Sequence, residues 1–534
     1  MASHRIRARP PRDAVRRPAT LQAADEVAVY RQDAARTPGG HSPLVALPRS
    51  EGEIAWLLRE APAVLPVGAL SSLTGGATPF GEWVLSTARL DAIGAVRGDR
   101  VRLGPGVALS TLEEALRPQG LFYPPAPTYK GASIGGTAAT NAAGAVTFKY
   151  GTTRAWIEVL TVVLAGGDVL DLARGEVKAG PDGRFEVLAC SGDVRSFEIP
   201  SYRVPDVPKR SAGYHAEPGM DLVDLFVGSE GTLGVLTEVE VRVAPLRPRL
   251  AAWVPLLTEA KALELVERLC TAAHATWAAG DPHGIDIASI ESLDRRSLAL
   301  LAEDGVLREQ GVALAPEVEA ALLFEAELPA GTDAARAMET LSLEPDAADS
   351  PLARLARLLD SAGVLEGLVV AMPGDTRRQQ LLESLREAVP LGVNHRVEAA
   401  QRAIDPRIHK VATDMIVPGQ RLAESLRIYR DAFGRRGLDH LVFGHASDGN
   451  LHANVLPRSF ADVEAGEAAI LEIGDAILRL GGCPLAEHGV GRSPVKQALL
   501  RAVVGEDGIE QMRRVKRALD PEGKLAPGVL FPAR

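Results

Sequence analysis

The sequence predicts an α+β protein built from two domains, on three observations. At 534 residues the chain is too long for one ordinary hydrophobic core. From about Pro48 to Val243, short apolar segments alternate with Gly-rich turns, which is typical of a loop-rich α+β domain. From about Leu250 to Pro457, apolar strands such as "AALLFEAEL" alternate with longer helical segments, which indicates a second, βαβ-like mixture.

The domain boundary is predicted at "APLRPRL", residues 244–250, where two prolines and two arginines follow the strand "VLTEVEVRV". We therefore place one domain at 41–245, a second at 246–480 and a C-terminal segment at 481–534. Residues 1–40 are rich in arginine and lack the apolar stretch of a secretory signal. We expect them to form a flexible arm, with an organelle-targeting peptide as the less favoured alternative.

Helices are predicted from the spacing of apolar residues. The segments with this spacing are "EGEIAWLLREA", "STLEEALRPQG", "EAKALELVERLCTAAHA", "RRQQLLESLREAV" and "ADVEAGEAAILEIGDAILRLGG". Gly481 and Gly482 end the last of these, because glycine readily takes the left-handed conformation that stops a helix. The acidic "LSLEPDAADSP" within the second domain is expected to be an exposed loop.

Composition and charge exclude several classes of protein. A formal net charge of -10 argues against nucleic-acid binding, which needs clustered lysine and arginine. Cys190, Cys270 and Cys483 are scattered and odd in number, so neither a disulfide framework nor an iron–sulfur cluster is predicted. No apolar run reaches the roughly 18 residues of a spanning helix. We expect a cytoplasmic protein, with peripheral attachment to a membrane as an alternative.

Two glycine-rich loops of the first domain suggest a site lined by backbone. "PVGALSSLTGGATP", residues 66–79, could present N–H groups and hydroxyls to a diphosphate. "GASIGGTAATNAAG", residues 131–144, contains one large side chain, Ile134, and could let a flat molecule lie on backbone. A flexible turn for the first loop and tight Ala/Gly packing for the second remain open as alternatives.

A third segment, "VGSEGTLGVLTE" at residues 227–238, interrupts a strand with glycines beside Ser229, Glu230 and Thr232. Neither a phosphate-binding Walker A loop nor a dinucleotide GxGxxG fingerprint is present, because the required lysine and the acidic residue after the glycine turn are missing. Any nucleotide bound here is therefore held in another way.

Residues 444–455, "GHASDGNLHANV", concentrate polar groups around a turn. Asp448-Gly449 is a strong two-residue hairpin signal, which predicts that Ser447 faces Asn450 and that His445 faces His452. Two opposed imidazoles can share one metal ion, although paired hydrogen-bonding histidines are the alternative. Glu487 and His488 in "CPLAEHGVGR" offer a third ligand from one of the pair, and such a set suits a divalent ion such as Zn²⁺ or Mn²⁺.

Together these motifs resemble the FAD-binding flavoproteins of the vanillyl-alcohol oxidase and p-cresol methylhydroxylase superfamily. The branch that looks most similar contains D-lactate dehydrogenases, the glycolate oxidase flavin subunit and D-2-hydroxyglutarate dehydrogenase. The resemblance covers the chain from about Pro43 to the C-terminus. It implies a two-subdomain FAD-binding domain of the p-cresol methylhydroxylase type and an α+β, ferredoxin-like substrate or cap domain. The C-terminal segment is expected to return to the FAD domain and complete the active site.

The resemblance also implies which residues contact FAD. Ala69-Leu70 stands where some relatives carry a histidine bonded covalently to the flavin, so FAD is expected to be held non-covalently. The predicted cofactor residues are Val67, Gly68, Ala69, Leu70, Ser71, Ser72, Gly76, Ser133, Gly135, Gly136, Thr140, Asn141, Gly144, Tyr150, Gly151, Glu230, Gly234 and Val235. Val67 replaces the arginine usual in this family, which leaves the FAD diphosphate with less compensating positive charge.

By the same resemblance the metal ligands are His445, His452 and Glu487. His488 is the general base, Asn450 helps to hold the substrate, and Ser447 stands where the family usually has glycine. Arg386 is expected to bind the substrate carboxylate through a paired hydrogen bond. Lys410 resembles a basic residue of the family, although its spacing to Asp414 differs from the usual one.

The implied reaction is flavin-dependent oxidation of a D-2-hydroxy acid of the lactate, glycolate or 2-hydroxyglutarate type. Hydride passes from C2 of the substrate to N5 of FAD with assistance from the metal. An alkylglycerone-phosphate synthase without net oxidation is the alternative, and a metal-dependent hydrolase is a weaker one. The expected partners are the small-molecule 2-hydroxy acid and an electron acceptor that no motif identifies. A homodimer is one candidate assembly.

Overall fold

The computed structural model describes residues 3–125, 127–333, 335–336, 339 and 349–532. The chain forms two compact units. The first contains Met1–Gly144, Gly151–Pro245 and Leu485–Arg534, and the second contains Ala145–Tyr150 and Leu246–Pro484. The chain passes from the first unit to the second after Pro245, within the proline- and arginine-rich stretch at residues 244–250. Residues 341–348 of the predicted acidic loop lie outside the described part of the chain.

The first unit is built on three sheets and a two-stranded ribbon. Its mixed sheet contains, in spatial order, Ala19–Leu21, Val45–Leu47, Trp83–Ser86 and Val64–Val67. An antiparallel sheet contains Arg100–Leu103, Val235–Arg242, Ile157–Val163 and Val169–Ala173. The third sheet contains Arg5–Arg7, Arg184–Leu188 and Val194–Glu198, and the ribbon pairs Leu121–Phe122 with Ala244–Pro245.

The described part of the first unit contains six α-helices. They are Ala24–Ala28, Glu51–Glu60, Leu109–Leu116, Ile134–Thr140, Leu222–Phe226 and Pro494–Leu519, the last kinked at Gly505. Helix Glu51–Glu60 begins where the Ser50 hydroxyl accepts the N–H of Glu53, and it buries Ile54 and Leu57 completely. These side chains join a core cluster that also contains Leu525 from the far end of the chain.

The second unit is centred on an eight-stranded sheet whose neighbouring strands are antiparallel. Along the sheet the strands are Val369–Ala371, Arg249–Leu256, Ala320–Glu327, Ile287–Asp294, His440–His445, Asn450–Val455 and Val411–Ala412, and Met415–Ile416 also pairs with Asn450–Val455. The expected mixture of strands and helices is confirmed. The strand pairing is antiparallel throughout, and parallel pairing of the βαβ kind is absent among the strands described.

Several helices of the second unit begin after a residue whose side chain caps the first turn. They are Thr147–Tyr150, Glu259–Ala279, Arg295–Glu303, Val306–Glu309, Pro351–Ser361, Thr376–Ala403, Leu422–Gly434 and Phe460–Arg479. Thr258, Ser350 and Ser459 each accept an N–H from the first turn of their helix. In the described part of the chain no helix is both long and apolar enough to cross a membrane.

Helix Thr376–Ala403 runs through Pro390, whereas the predicted segment "RRQQLLESLREAV" stopped before this proline. Proline removes one hydrogen bond and normally ends or kinks a helix. Here Leu382, Val389 and Val393 bury one apolar face on both sides of the proline. That burial offsets the lost hydrogen bond, so the helix continues.

The N-terminal residues differ from the flexible arm that composition indicated. Arg5–Arg7 pairs in parallel with Arg184–Leu188, and the Arg9 guanidinium binds the carboxylates of Glu51 and Asp171. The arginines that suggested a solvated arm therefore have acidic partners within the first unit. A reading of composition cannot detect such partners, of which Glu51 lies 42 and Asp171 lies 162 residues from Arg9 along the chain.

Asp33 ties this N-terminal part to the glycine-rich loop at residues 66–79. Its Oδ2 accepts the N–H of Ala77 at 3.2 Å, its Oδ1 accepts the N–H of Ala35 at 3.1 Å, and its own N–H reaches the Thr78 hydroxyl at 3.2 Å. Burial raises the pKa of the Asp33 carboxyl, and the hydrogen bonds from Ala77, Thr78 and Ala35 oppose that shift. The loop thus rests on a segment that the sequence assigned to a free arm.

We predict that Asp33→Ala lowers the free energy of unfolding by about 1–3 kcal/mol, because it leaves the partly buried N–H groups of Ala35 and Ala77 without this acceptor. Asp25→Ala removes an exposed carboxylate from the same N-terminal region and serves as the control. Urea unfolding measures both variants. Equal stability of the two would show that Asp33 does not hold the loop.

Candidate active site

The three glycine-rich motifs of the first unit each place a non-glycine residue in the left-handed backbone region. These residues are Leu70 at φ 56°, Asn141 at φ 49° and Glu230 at φ 51°. Such conformations are uncommon for residues with a side chain and are maintained only where surrounding contacts hold them. All three residues were predicted from the sequence to contact FAD, so strained backbone coincides with the predicted cofactor loops.

The three motifs also contact one another directly. The N–H groups of Gly228 and Glu230 donate to the carbonyls of Ala138 and Ala139 at 3.0 and 2.8 Å. A Cβ on Gly68 would lie 2.2 Å from the hydroxyl of Ser133, so only glycine permits this approach of the first loop to the second. Ser133 in turn accepts the N–H of Gly136 at the start of helix Ile134–Thr140. Backbone therefore forms the surface where these loops meet.

The Glu230 side chain forms hydrogen bonds within the first unit. Its two carboxylate oxygens accept the N–H groups of Val490 and Gly491, each at 2.8 Å. Burial raises the pKa of Glu230 to about 7, and the two N–H bonds and Lys496 oppose that rise. A Cβ on Gly489 would lie 2.9 Å from the Glu230 carboxylate. The turn at residues 488–491, which carries His488, is thus fastened to the third motif.

The same turn contacts the first loop. The N–H of Arg492 donates to the Thr74 carbonyl at 3.0 Å, and a Cβ on Gly76 would lie 3.3 Å from the Cα of Gly491. The Arg492 guanidinium forms an ion pair with Glu82 and also donates to the carbonyl of Pro527 at 2.7 Å. These bonds hold the C-terminal segment against residues 66–79.

Residues 209–211 connect the same segment to the second loop. The Ser211 N–H donates to the Leu485 carbonyl at 3.1 Å, and the Ser211 hydroxyl donates to the Thr140 carbonyl at 3.1 Å. The fully buried Lys209 places its ammonium 3.6 Å from the Glu487 carboxylate. Segment 485–492 is therefore bonded to all three cofactor motifs, directly or through this connection.

In the second unit, the hairpin at residues 440–455 differs from its predicted register. His440–His445 and Asn450–Val455 are joined by four residues, Ala446–Gly449, of which three form a 3₁₀ turn. His445 therefore faces Asn450, and Phe443 faces His452. A slip of two residues keeps every side chain on its original face. The two imidazoles remain diagonal neighbours, with ring centroids 5.5 Å apart.

Ser447 accounts for part of this difference. Its hydroxyl accepts the N–H of Ile290 at 3.2 Å, which bonds the turn to strand Ile287–Asp294. A glycine, usual at this position in the family, has no side chain that could make this bond. The two-residue rule uses only the residues of the turn and cannot include a contact with a third strand.

The side chains predicted to bind substrate and metal in the second unit have identifiable neighbours. Nδ1 of His445 lies 2.8 Å from Oε1 of Glu291, and the Arg386 guanidinium lies 3.7 Å from the same oxygen. The amide of Asn450 donates to the Met415 carbonyl at 3.0 Å, so part of its function is to join the hairpin to the next strand. Lys410 donates to the Asn394 side chain at 3.1 Å, and burial lowers its pKa to about 8.

The predicted residues are distributed over both units. Glu487, His488 and the predicted cofactor residues other than Tyr150 belong to the first unit, whereas Arg386, Lys410, His445, Asn450, His452 and Tyr150 belong to the second. The Tyr150 hydroxyl donates to both oxygens of the buried Glu327, at 2.8 and 2.7 Å, and Lys149 binds the same carboxylate. This cluster explains why residues 145–150 fold with the second unit.

Three buried residues of the second unit were missed by the sequence analysis. A carboxylate oxygen of Asp414 and a ring nitrogen of His452 lie within 4.8 Å of each other, which adds a ligand type suited to a divalent ion. Asn454 lies on the same strand face as His452, and its buried Oδ1 has no hydrogen-bond partner among the described residues. Glu291, whose carboxylate contacts His445, is the third of the missed residues. The repeated Asn-x-His-x-Asn spacing was the one signal that could have identified Asn454.

The residues present suit both groups that the sequence predicted. A Cβ on Gly491 would lie 2.5 Å from the Thr74 carbonyl oxygen, and Gly68 and Gly76 add no side chain to the same loop, which together give the side-chain-poor surface that a flat cofactor requires. Two imidazoles and nearby carboxylates are the donors that Zn²⁺ and Mn²⁺ prefer. The chemistry of the donors therefore favours a divalent ion over an alkali metal.

Comparison with known proteins identifies two family domains. Residues 42–173 match the FAD binding domain, and residues 262–530 match the C-terminal domain of FAD linked oxidases. A solved structure of alkyldihydroxyacetonephosphate synthase is similar with a TM-score of 0.57 over 91% of this chain and 76% of that chain. At 16% sequence identity this similarity shows the fold alone.

Curated relatives match along most of their length. D-2-hydroxyglutarate dehydrogenase of Xanthomonas citri pv. viticola is 30% identical, with 91% of this chain and 89% of the relative covered. Glycolate oxidase subunit GlcD of Bacillus subtilis is 28% identical, with 94% and 92% covered. D-lactate dehydrogenase of Archaeoglobus fulgidus is 27% identical, with 91% and 90% covered. The chain belongs to the FAD-linked oxidases.

Proposed function

We propose that the protein oxidises a D-2-hydroxy acid to the 2-oxo acid, with FAD as the two-electron acceptor. The observation that carries this proposal is the bonding of segment 485–492 to all three cofactor motifs in the first unit. This segment carries His488, the residue expected to remove the substrate hydroxyl proton. The names of the curated relatives, which include glycolate oxidase, D-lactate and D-2-hydroxyglutarate dehydrogenases, support the substrate class.

We propose a role for each of three parts of the chain. We assign FAD binding to residues 41–245 in a two-subdomain arrangement of the p-cresol methylhydroxylase type. Substrate binding is assigned to residues 246–480 as an α+β, ferredoxin-like cap, and completion of the active site to residues 481–534. The bonds from Arg492 to Thr74 and from Glu230 to Gly491 support the last assignment.

Arg386 is the proposed partner of the substrate carboxylate. Its side chain is 21% exposed on helix Thr376–Ala403, so the guanidinium can meet a ligand while one side of it faces Glu291. Lys410 contacts Asn394 of the same helix and would add a second positive charge while it is protonated. A small carboxylic acid is therefore the ligand that these cations favour.

His488 is proposed as the general base, and Glu230 as the residue that holds its turn in place. When the carboxylate is ionised, each Glu230 oxygen accepts one N–H without competition from a proton of its own. His445, His452 and Glu487 are proposed to hold a divalent ion, with Asp414 as an added ligand candidate. Such an ion would lower the pKa of a bound hydroxyl group.

The alternatives gain no support of their own. The similarity to alkyldihydroxyacetonephosphate synthase shows the fold alone, and a hydrolase has no use for an FAD binding domain. A synthase would leave its flavin unreduced by hydroxy acids, and a hydrolase would purify without flavin colour. A single spectroscopic experiment on the purified protein can therefore detect either alternative.

The central test is anaerobic addition of D- and L-lactate, glycolate and D-2-hydroxyglutarate to the flavin-loaded protein. We expect at least one acid to bleach the flavin absorbance, with the D enantiomer preferred over the L where both exist. Absence of bleaching with every acid would contradict the proposed oxidation. Treatment with a chelator is expected to slow bleaching, and added Zn²⁺ or Mn²⁺ is expected to restore it.

We predict that Arg386→Met raises KM for the acid by about 10- to 100-fold, because a charge-assisted hydrogen bond is worth about 1.5–3 kcal/mol. Arg377→Met removes an exposed arginine from the same helix and provides the matched control. Steady-state kinetics would compare the two variants. Equal KM values for both would remove Arg386 from the substrate site.

We predict that the stability of the wild type relative to Glu230→Gln depends on pH. The pKa of Glu230 in the folded protein is raised from 4.5 to about 7, so the native state holds a proton that the unfolded chain releases. This contribution is complete below pH 4.5 and is lost as the pH rises through about 7. Urea unfolding across this range should show the wild type losing stability relative to the variant.

Glu114→Gln changes an exposed carboxylate on helix Leu109–Leu116 and controls for the general effect of removing one charge. The raised pKa of Glu230 would be contradicted if Glu230→Gln and Glu114→Gln showed the same dependence of stability on pH.

A further inference from the structure

Glu291 is a buried carboxylate to which the proposed mechanism gives no task. It lies on strand Ile287–Asp294 and is 4% exposed. Oε1 of this residue is 2.8 Å from Nδ1 of His445 and 3.7 Å from Nη1 of Arg386. One oxygen atom therefore faces both a proposed metal ligand and the proposed carboxylate-binding arginine.

The sheet fixes the contact between Glu291 and His445. The two residues are direct partners in the antiparallel register of strands Ile287–Asp294 and His440–His445. The hydrogen bond from the Ile290 N–H to the Ser447 hydroxyl holds the following turn to the same strand. Directly opposed side chains in such a pair lie about 5 Å apart at Cβ. The geometry is thus present before any ligand arrives.

The hydrogen bond also determines how His445 can act. When Glu291 is ionised it can only accept, so in a neutral His445 ring Nδ1 carries the proton and Nε2 carries the ring lone pair. A carboxylate that accepts from the outer nitrogen of an imidazole orients the ring and makes the other nitrogen a better metal ligand. Glu291 therefore strengthens metal binding through His445.

Toward Arg386 the same negative charge has the opposite effect. The 3.7 Å separation is too long for a hydrogen bond but short enough for strong attraction between partly buried charges. A substrate carboxylate at Arg386 must share the guanidinium with Glu291, and the two anions repel each other. Glu291 therefore weakens the binding of the acid and of its 2-oxo product.

We propose that Glu291 is a positioning residue that favours metal binding at His445 and restrains carboxylate binding at Arg386. The inference rests on the proposed function, since it uses the roles assigned there to both partners. It adds a specific property to that site. The single buried charge of Glu291 raises the affinity for the metal and lowers the affinity for the substrate carboxylate. Restrained binding of the product carboxylate favours its release after oxidation.

The test uses Glu291→Gln, which keeps the shape and one acceptor oxygen but removes the charge, and Glu291→Ala, which removes both. Zn²⁺ affinity is measured by competition with a chelating dye, and the inhibition constant of the 2-oxo acid is measured on the flavin- and zinc-loaded enzyme. In Glu291→Ala we expect the dissociation constant of Zn²⁺ to rise about 10- to 100-fold. In Glu291→Gln we expect a smaller rise, because an acceptor remains.

In Glu291→Gln we expect the inhibition constant of the 2-oxo acid to fall about threefold or more, as the competing anion is gone. These opposite changes cannot arise from general loss of structure, which would weaken both kinds of binding. Glu325→Gln is the matched control, because Glu325 also faces an arginine, Arg249 at 3.3 Å, on the neighbouring strand of the same sheet. We expect it to leave both constants unchanged.

Unchanged Zn²⁺ affinity in Glu291→Ala, or weaker binding of the 2-oxo acid in Glu291→Gln, would overturn the inference. Failure of the proposed function gives a different result, because the wild type itself would then neither bind Zn²⁺ nor reduce its flavin with any hydroxy acid.

Discussion

Hydrogen bonds that backbone N–H groups donate to buried carboxylates hold the first unit together where side chains are scarce. The glycine-rich motifs have little apolar surface, so the hydrophobic effect can stabilise their packing only weakly. Glu230 instead accepts two N–H groups from residues 490–491, and Asp33 accepts those of Ala35 and Ala77. Both carboxyl groups have a raised pKa caused by burial, which shows that these bonds form at some cost in desolvation.

The second unit follows a different scheme, in which the register of one sheet sets the positions of the polar side chains. Because Glu291 directly faces His445, and His452 lies diagonally across from His445, three polar groups share one face of the sheet. Aliphatic side chains such as Leu322 and Leu441 are fully buried elsewhere in the same sheet. The sheet therefore supports this polar face, as the proposed metal and carboxylate site requires.

Local signals in the sequence predicted much of this structure correctly. Helices Glu51–Glu60 and Phe460–Arg479 were predicted because apolar spacing and capping residues act within a few positions of each other. Local composition was also the basis for placing a domain boundary at residues 244–250, where the chain passes from the first compact unit to the second. The left-handed backbone at Leu70 and Asn141 was not predicted, although both positions lie inside the loops selected for their small residues.

The errors arose where a distant residue outweighs a local rule. The Asp448-Gly449 signal predicted a two-residue hairpin, but the bond from Ile290 to Ser447 accompanies a longer turn. Arginine-rich composition predicted a free arm, but Asp171 supplies a partner for Arg9. Glu291 and Asp33 were missed for the same reason, since their partners lie far away along the chain. A single sequence contains no local sign of such pairs.

The first unit is discontinuous, and this has a consequence for how the protein is made. Val64 pairs with the chain around Leu525, through bonds from the Val64 N–H to the Lys524 carbonyl and from the Ala526 N–H to the Val64 carbonyl. Residues 246–484, which form most of the second unit, are synthesised between these two segments. The core of the first unit can therefore close only after residues 485–534 have been synthesised. Because domains generally fold as units, the earlier segments of the first unit expose part of their apolar surface until the second unit has been made.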